Sequence, residues 1–92
     1  MITTFKSKAL RKLFERRDTR GLPAEQVNRI ENRLATLDAA MVAEDMNIAG
    51  YGFHKLTGDL KGFYAVKVTG NWRIIFRFED GDALDVDHVD YH

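Results

Sequence analysis

The sequence predicts an α+β fold in which two N-terminal helices pack on a small, mostly antiparallel β-sheet, in the order β-α-α-β-β-β. Two helical patterns fill the first half of the chain, where apolar residues recur every three or four positions. Period-two alternation follows in the last third, and short glycine-containing turns separate its segments. A length of 92 residues suits one domain, so residues 1–92 are expected to form a single domain.

The N-terminal elements are a short apolar segment and two helices. Residues 2–5 are apolar and β-branched and are expected to form a first strand. Ser7 suits the N-cap of a helix from Lys8 to about Arg17. Pro23 is expected to be the first residue of the second helix, because its missing N–H costs nothing there. The apolar stripe of that helix is expected to be core and comprises Val27, Ile30, Leu34, Leu37 and Met41.

Three strands are expected in the C-terminal part of the chain. Residues 63–68 alternate, and Thr69-Gly70 turns the chain into the next strand. That strand places Trp72, Ile74, Phe76 and Phe78 on one face and Arg73, Ile75 and Arg77 on the other. Asp80-Gly81 then supplies the positive φ of a tight hairpin, and residues 83–89 form the return strand. The two strands are expected to bring together a cation, a carboxylate, a phenol and an imidazole: Arg73, Asp90, Tyr91 and His92.

The formal net charge is zero, but the charge is unevenly distributed. Residues 1–33 carry +5 (nine basic against four acidic), residues 34–60 carry −3 (one against four) and residues 61–92 carry −2 (four against six). The basic part could contact phosphate, although charge alone favours a solvated helical surface. The absence of cysteine excludes disulfide and thiolate chemistry, and no apolar run suggests a signal peptide or a membrane span. A cytoplasmic protein is expected.

Two common kinds of site are disfavoured. Ser7 is the only serine and is expected to cap a helix, which argues against a Ser-His-Asp hydrolase. His88 and His92 could bind a metal ion with a neighbouring carboxylate, but ligands at the end of a chain lack the fixed geometry that such an ion needs. The carboxylates concerned are Asp85, Asp87 and Asp90.

A different chemistry suits the residues near the end of the chain. Cleavage of an RNA backbone needs a group that takes the 2′-OH proton, a cation that holds the phosphate and a donor for the leaving oxygen. An imidazole can fill either proton-transfer role near neutral pH. The candidate residues are His54, Arg73, Asp90, Tyr91 and His92.

Several segments, in this order and spacing, carry a resemblance to a known family. They are Ile2-x-x-Phe5-Lys6, Leu13-Phe14-Glu15, Leu34-x-x-Leu37-Asp38-Ala39-Ala40, Tyr51-x-x-His54-x-Leu56-x-Gly58-Asp59 before Gly62-Phe63, and Asn71-Trp72-Arg73-Ile74-Ile75-Phe76 before Asp90-Tyr91-His92. Together they resemble the HigB toxins of bacterial type II toxin–antitoxin pairs, which belong to the RelE/ParE superfamily. The resemblance covers nearly the whole chain.

The resemblance implies a RelE-like fold and an endoribonuclease that cuts mRNA in the ribosomal A site without a metal or cofactor. It implies a helix-turn-helix antitoxin of the HigA kind as partner, through which the toxin meets operator DNA, and no contact with a membrane. It also assigns roles to the matching positions. His54 and His92 would act as acid and base, and Asp90 would orient or accept protons. Arg73 would stabilise the phosphate, Tyr91 would position the substrate and Asn71 would contact a nucleotide.

One segment departs from the family pattern. Family members often read His-Pro-Leu-Lys-Gly-Asp where this chain reads His54-Lys55-Leu56-Thr57-Gly58-Asp59. If the segment is extended, Lys55 and Thr57 share a face, so Lys55 is expected to bind the phosphate in place of the usual lysine. Two alternatives stay open: a ParE-like gyrase inhibitor, which would not need the last three residues, and an inactive toxin retained for operon regulation.

Overall fold

Two helices pack on one face of a four-stranded antiparallel sheet in a computed structural model that describes residues 1–91. The helices are α1 (Lys8–Arg16) and α2 (Val27–Ala39), and the strands are β1 (His54–Lys55), β2 (Tyr64–Thr69), β3 (Trp72–Glu79) and β4 (Asp82–Asp90). The strands lie side by side in sequence order, and each neighbouring pair is antiparallel. The predicted class, two helices on a small antiparallel sheet, is confirmed.

The first helix begins as predicted, whereas the second differs at both ends. Ser7 Oγ accepts a hydrogen bond from the Leu10 N–H at 3.1 Å and so caps α1. Pro23 has ψ 127° and stands before a 3₁₀ turn (Ala24–Gln26) instead of inside α2. Because Ala40 adopts an extended conformation, α2 ends before Met41, which is 79% exposed and not core. No helix within residues 1–91 is long and apolar enough to cross a membrane.

The N-terminal segment forms two isolated bridges instead of the continuous strand that was expected. Ile2 and Phe5 bridge β4 in parallel, at Ala83 and Val86. Between these bridges the Asp85 N–H donates to a side chain, Thr4 Oγ1, at 2.8 Å, which interrupts the backbone ladder. Asp85 has φ 52° at a register shift between β3 and β4, so the extended backbone of β4 is interrupted between the two bridges. The fourth strand is instead β1, a two-residue strand in the segment between α2 and β2.

The sheet has apolar residues on both faces. Its helix face carries the main core, which joins residues of α1, α2 and all three long strands: Leu10, Leu13, Ile30, Leu34, Leu37, Val66, Val68, Ile74, Phe76, Ala83 and Val86. Its opposite face, called the open face here, carries a smaller cluster of Leu56, Ala65 and Ile75. Leu60, Phe63 and Val89 pack against that cluster, and Ile75 is only 3% exposed although it lies on the same face of β3 as Arg73 and Arg77.

Candidate functional site

Two predicted site residues, His54 and Arg73, share the open face of the sheet with Lys67. His54 pairs with Ala65 across β1 and β2, and Lys67 pairs with Arg73 across β2 and β3. Directly paired residues point to the same side of a sheet, and Ala65 and Lys67 are two residues apart on one strand. His54, Lys67 and Arg73 therefore project from one face. Strand spacing and rise place the Cα atoms of His54 and Arg73 about 12 Å apart, with Lys67 between them.

The imidazole of His54 is exposed, and one of its nitrogens is held by the backbone. Nδ1 lies 2.9 Å from the carbonyl oxygen of Gly52. Because a carbonyl oxygen can only accept, Nδ1 must carry the proton in this contact. In the neutral ring Nε2 is then the unprotonated nitrogen. Among residues 1–91 it has no hydrogen-bond partner, so it can accept a proton from a substrate.

Arg73 is anchored at one end of its guanidinium group and available at the other. Its Nη1 donates to the carbonyl oxygens of Gly70 at 2.7 Å and Trp72 at 3.1 Å. The N–H groups on Nε and Nη2 remain for a ligand, and within residues 1–91 Arg73 forms no ion pair. This fork matches the oxygen geometry of a phosphate.

The end of β4 lies beside the turn between β2 and β3. The Tyr91 N–H donates to the Asn71 carbonyl oxygen at 2.8 Å, and Asp90 pairs with Trp72. Asn71, Asp90 and Tyr91 are exposed there, next to the strand position of Arg73. Four of the predicted site residues thus lie at one end of the sheet, with His54 two strands away. His92 lies outside the described residues.

Lys55 faces away from the other candidates. It pairs with Tyr64, which lies on the helix-face side of β2, whereas His54 pairs with Ala65 on the open face. Lys55 and Thr57 do share a surface, as the extended segment implied, because both line one cavity of about 620 Å³. Lys61 and Phe63 also line this cavity, which combines two ammonium groups with an aromatic ring.

His88 lies on the helix face and contacts protein groups. Its Nε2 is 2.8 Å from Oε1 of Gln26, which is only 2% exposed, and its ring stacks on Trp72 with 4.3 Å between centroids. Burial lowers the pKa of His88 below its ordinary value, and neighbouring Asp87 partly opposes that shift. Residues 1–91 contain no cluster of three or more His, Asp or Glu side chains able to hold a metal ion.

Lys67 is the member of this face that sequence reasoning missed. The alternation of Tyr64, Val66 and Val68 does turn Lys67 away from the core, which was a usable signal. Its pairing with Arg73, however, depends on a bulge near Val68, where the register shifts between Lys67 and Thr69.

The fold is that of a known class of toxins. The toxin–antitoxin complex of YoeB and YefM from Staphylococcus aureus contains a chain that superposes with a TM-score of 0.64 at 16% identity, with 100% of this chain and 98% of that chain covered. At that identity the likeness concerns the RelE-like fold alone.

Sequence comparison identifies the family within that class. Residues 3–92 match the model of the RelE-like toxin of type II toxin–antitoxin system HigB. A Proteus vulgaris protein named endoribonuclease HigB is 44% identical over 92 residues, covering both chains completely. Toxin HigB-1 of Vibrio cholerae is 35% identical over 94 residues, covering 100% of this chain and 98% of its own length. The chain therefore belongs to the HigB-like toxins of type II toxin–antitoxin systems.

Proposed function

We propose that this protein is an endoribonuclease toxin that cuts mRNA in the ribosomal A site and thereby inhibits translation and growth. The endoribonuclease activity in this proposal extends to this chain what the name of its Proteus vulgaris relative says, at 44% identity over the full length of both. It treats residues 1–92 as one toxin domain, and it places the protein in the cytoplasm because the ribosome is its target.

The observation that carries the proposal is the open face with His54 and Arg73. An imidazole with a free Nε2 and a guanidinium with free Nε and Nη2 are two of the three groups that RNA cleavage needs. His54 Nε2 takes the proton of the 2′-OH while the 2′-oxygen forms a bond to the adjacent phosphorus. Arg73 holds the non-bridging oxygens, whose negative charge increases in the transition state.

The residues at the end of β4 complete the reaction. The bond from phosphorus to the 5′-oxygen breaks, and His92 gives that oxygen a proton, leaving a 2′,3′-cyclic phosphate and a 5′-hydroxyl. Asp90 orients the proton donor, and Tyr91 and Asn71 hold the nucleotide beside it. Each of the two acid–base groups contributes roughly a hundredfold to ten-thousandfold.

Two further contacts belong to the proposal. Lys55 binds RNA next to the cleavage point through the cavity that it shares with Lys61 and Phe63. The protein partner is a helix-turn-helix antitoxin of the HigA kind, and operator DNA is bound only through it. Type II systems pair a toxin with a protein antitoxin, and the Staphylococcus aureus toxin of the same fold forms such a complex.

Growth after induction tests the proposal cheaply. The wild-type protein should arrest growth, and Arg73→Ala and His92→Ala should each abolish that arrest. Lys12→Ala removes one charge from an exposed position of α1 and should arrest growth as the wild type does. Arrest that persists in both site variants would contradict the nuclease and point to a gyrase-inhibiting toxin. No arrest from a folded wild-type protein would point to an inactive toxin retained for operon regulation.

A further inference from the structure

We propose that Lys67 is a phosphate-binding residue of this site, and that it supplies a second cation between His54 and Arg73. The inference rests on the proposed RNA substrate and names one more contact to it. Lys67 lies directly opposite Arg73, at a Cβ separation of about 5 Å, and diagonal to His54, at about 7–8 Å. Ala65 and Lys67 are the two open-face residues of β2 next to both proposed catalytic side chains, and of these two only Lys67 carries a charge.

The juxtaposition of Lys67 and Arg73 is unfavourable unless an anion joins them. Like charges directly opposite each other destabilise a strand pair. Within residues 1–91 neither cation forms an ion pair with a carboxylate. Arg77 lies on the same face of the same strand and has two carboxylates within 3.5 Å, those of Glu79 and Asp85. The sheet thus neutralises one arginine and leaves a pair of cations open to a ligand.

The backbone of Lys67 is fixed while its side chain is exposed. Its N–H donates to the Tyr51 carbonyl oxygen at 2.6 Å, and its carbonyl oxygen accepts from Nε of Arg33 at 3.0 Å. These bonds fix the part of β2 that extends past its pairing with the short strand β1. Gly52 lies beside Lys67, since a Cβ added to Gly52 would be 3.8 Å from Cβ of Lys67. The flank of Lys67 that faces His54 is therefore not covered by a side chain of residue 52.

Lys55 and Lys67 occupy different positions relative to His54. Lys55 is turned to the other side of the sheet by its pairing with Tyr64, whereas Lys67 shares the open face. An ammonium group on the open face meets the phosphate that His54 and Arg73 contact. Lys67 therefore holds the scissile phosphate, and Lys55 is left to contact a neighbouring part of the RNA.

Single-turnover cleavage of mRNA on programmed ribosomes tests this assignment. Lys67→Ala should lower the cleavage rate on the order of 10²-fold, the loss expected when one donor to a developing oxyanion is removed. Lys67→Arg should keep most of the rate, because it keeps the positive charge. Lys12→Ala, which removes the same charge from α1, should cleave like the wild type. A Lys67→Ala rate equal to that of Lys12→Ala would overturn the inference.

Thermal unfolding separates phosphate binding from a structural role. Removing an unpaired cation beside Arg73 should leave Tm unchanged or raise it, since it relieves like-charge repulsion. A lowered Tm in both Lys67→Ala and Lys67→Gln, with the loss of rate in proportion, would assign Lys67 a structural role and overturn the inference.

Binding of a 2′-O-methyl RNA oligonucleotide, which cannot be cleaved, keeps the inference testable if the wild-type protein does not cut RNA. The slope of log K against log salt is negative, and each lost phosphate contact to a single strand decreases its magnitude by about 0.7. Lys67→Ala and Arg73→Ala should each show this decrease, and Lys12→Ala should not. No cleavage together with these slopes would refute the nuclease alone, whereas an unchanged slope for Lys67→Ala would refute the phosphate contact.

Discussion

Replacing His88 with alanine should lower the free energy of unfolding by about 1.5–4.5 kcal/mol. The change leaves the side chain of Gln26, which is 2% exposed, without its 2.8 Å hydrogen bond, at about 1–3 kcal/mol. It also removes a ring stacked on Trp72, at about 0.5–1.5 kcal/mol. In a domain of this size each kcal/mol shifts Tm by about 4–8 °C, so Tm should fall by at least about 6 °C.

Urea unfolding at pH 7.5 measures this loss, and His54→Ala is the matched control. His54 is exposed and its imidazole is hydrogen-bonded to the exposed carbonyl oxygen of Gly52, so its removal should leave the unfolding midpoint nearly unchanged. A loss for His88→Ala below about 0.5 kcal/mol, the range typical of ordinary surface positions, would refute the structural role given to the contact between Gln26 and His88.

The same residue makes stability depend on pH in a defined direction. Burial lowers the pKa of His88 below its ordinary value of 6.5, so the folded state binds fewer protons than the unfolded state. Its contribution is therefore complete above about pH 6.5 and is lost as the pH falls through the folded pKa. The stability difference between the wild type and His88→Gln should narrow from pH 7.5 to pH 5. A constant difference, or one that widens in acid, would refute the shift.

Three further predictions concern the helix end and the site. Leu37→Ala should cost about 2–5 kcal/mol in urea unfolding, whereas Met41→Ala should cost almost nothing, because α2 ends before residue 41; equal losses would mean that the helix continues. Arg73→Ala should lower RNA cleavage by about 10²–10³-fold and Arg77→Ala far less, since carboxylates already pair with Arg77; equal losses would contradict the separation of the two cations. Lys55→Ala should weaken the binding of uncleavable RNA more than it lowers the single-turnover cleavage rate at a saturating concentration of protein. A lower cleavage rate with unchanged binding would place Lys55 at the scissile phosphate.

Much of the fold could be predicted because the apolar periodicities are regular. The alternation of Trp72, Ile74 and Phe76 and the turn at Asp80-Gly81 define the last hairpin, and Ser7 marks the start of α1. The end of α2 could not be read in the same way. Met41 continues the spacing of the stripe, but the backbone is already extended at Ala40, one residue beyond the end of the helix.

The pairing of Lys67 with Arg73 needed a step that periodicity alone does not supply. Val66 and Val68 must share a face with Ile74, yet a two-residue loop between Thr69 and Trp72 would pair the wrong faces. One extra residue in β2 restores the match, and the structure has its register shift there. The alternation of β2 and β3 and the length of the loop between them together require a bulge, but they do not show at which residue of β2 it lies. Its position decides which residue lies opposite Arg73.

Primer extension on an mRNA incubated with the pure protein tests the central claim most directly. The reactions contain wild-type protein, Arg73→Ala or Lys12→Ala, each with and without ribosomes. We predict that the wild-type protein cleaves the mRNA at defined positions and only when ribosomes are present. Arg73→Ala should lose this cleavage, and Lys12→Ala should retain it. Intact mRNA in every reaction with folded wild-type protein, or equal cleavage by Arg73→Ala, would contradict the proposed nuclease site.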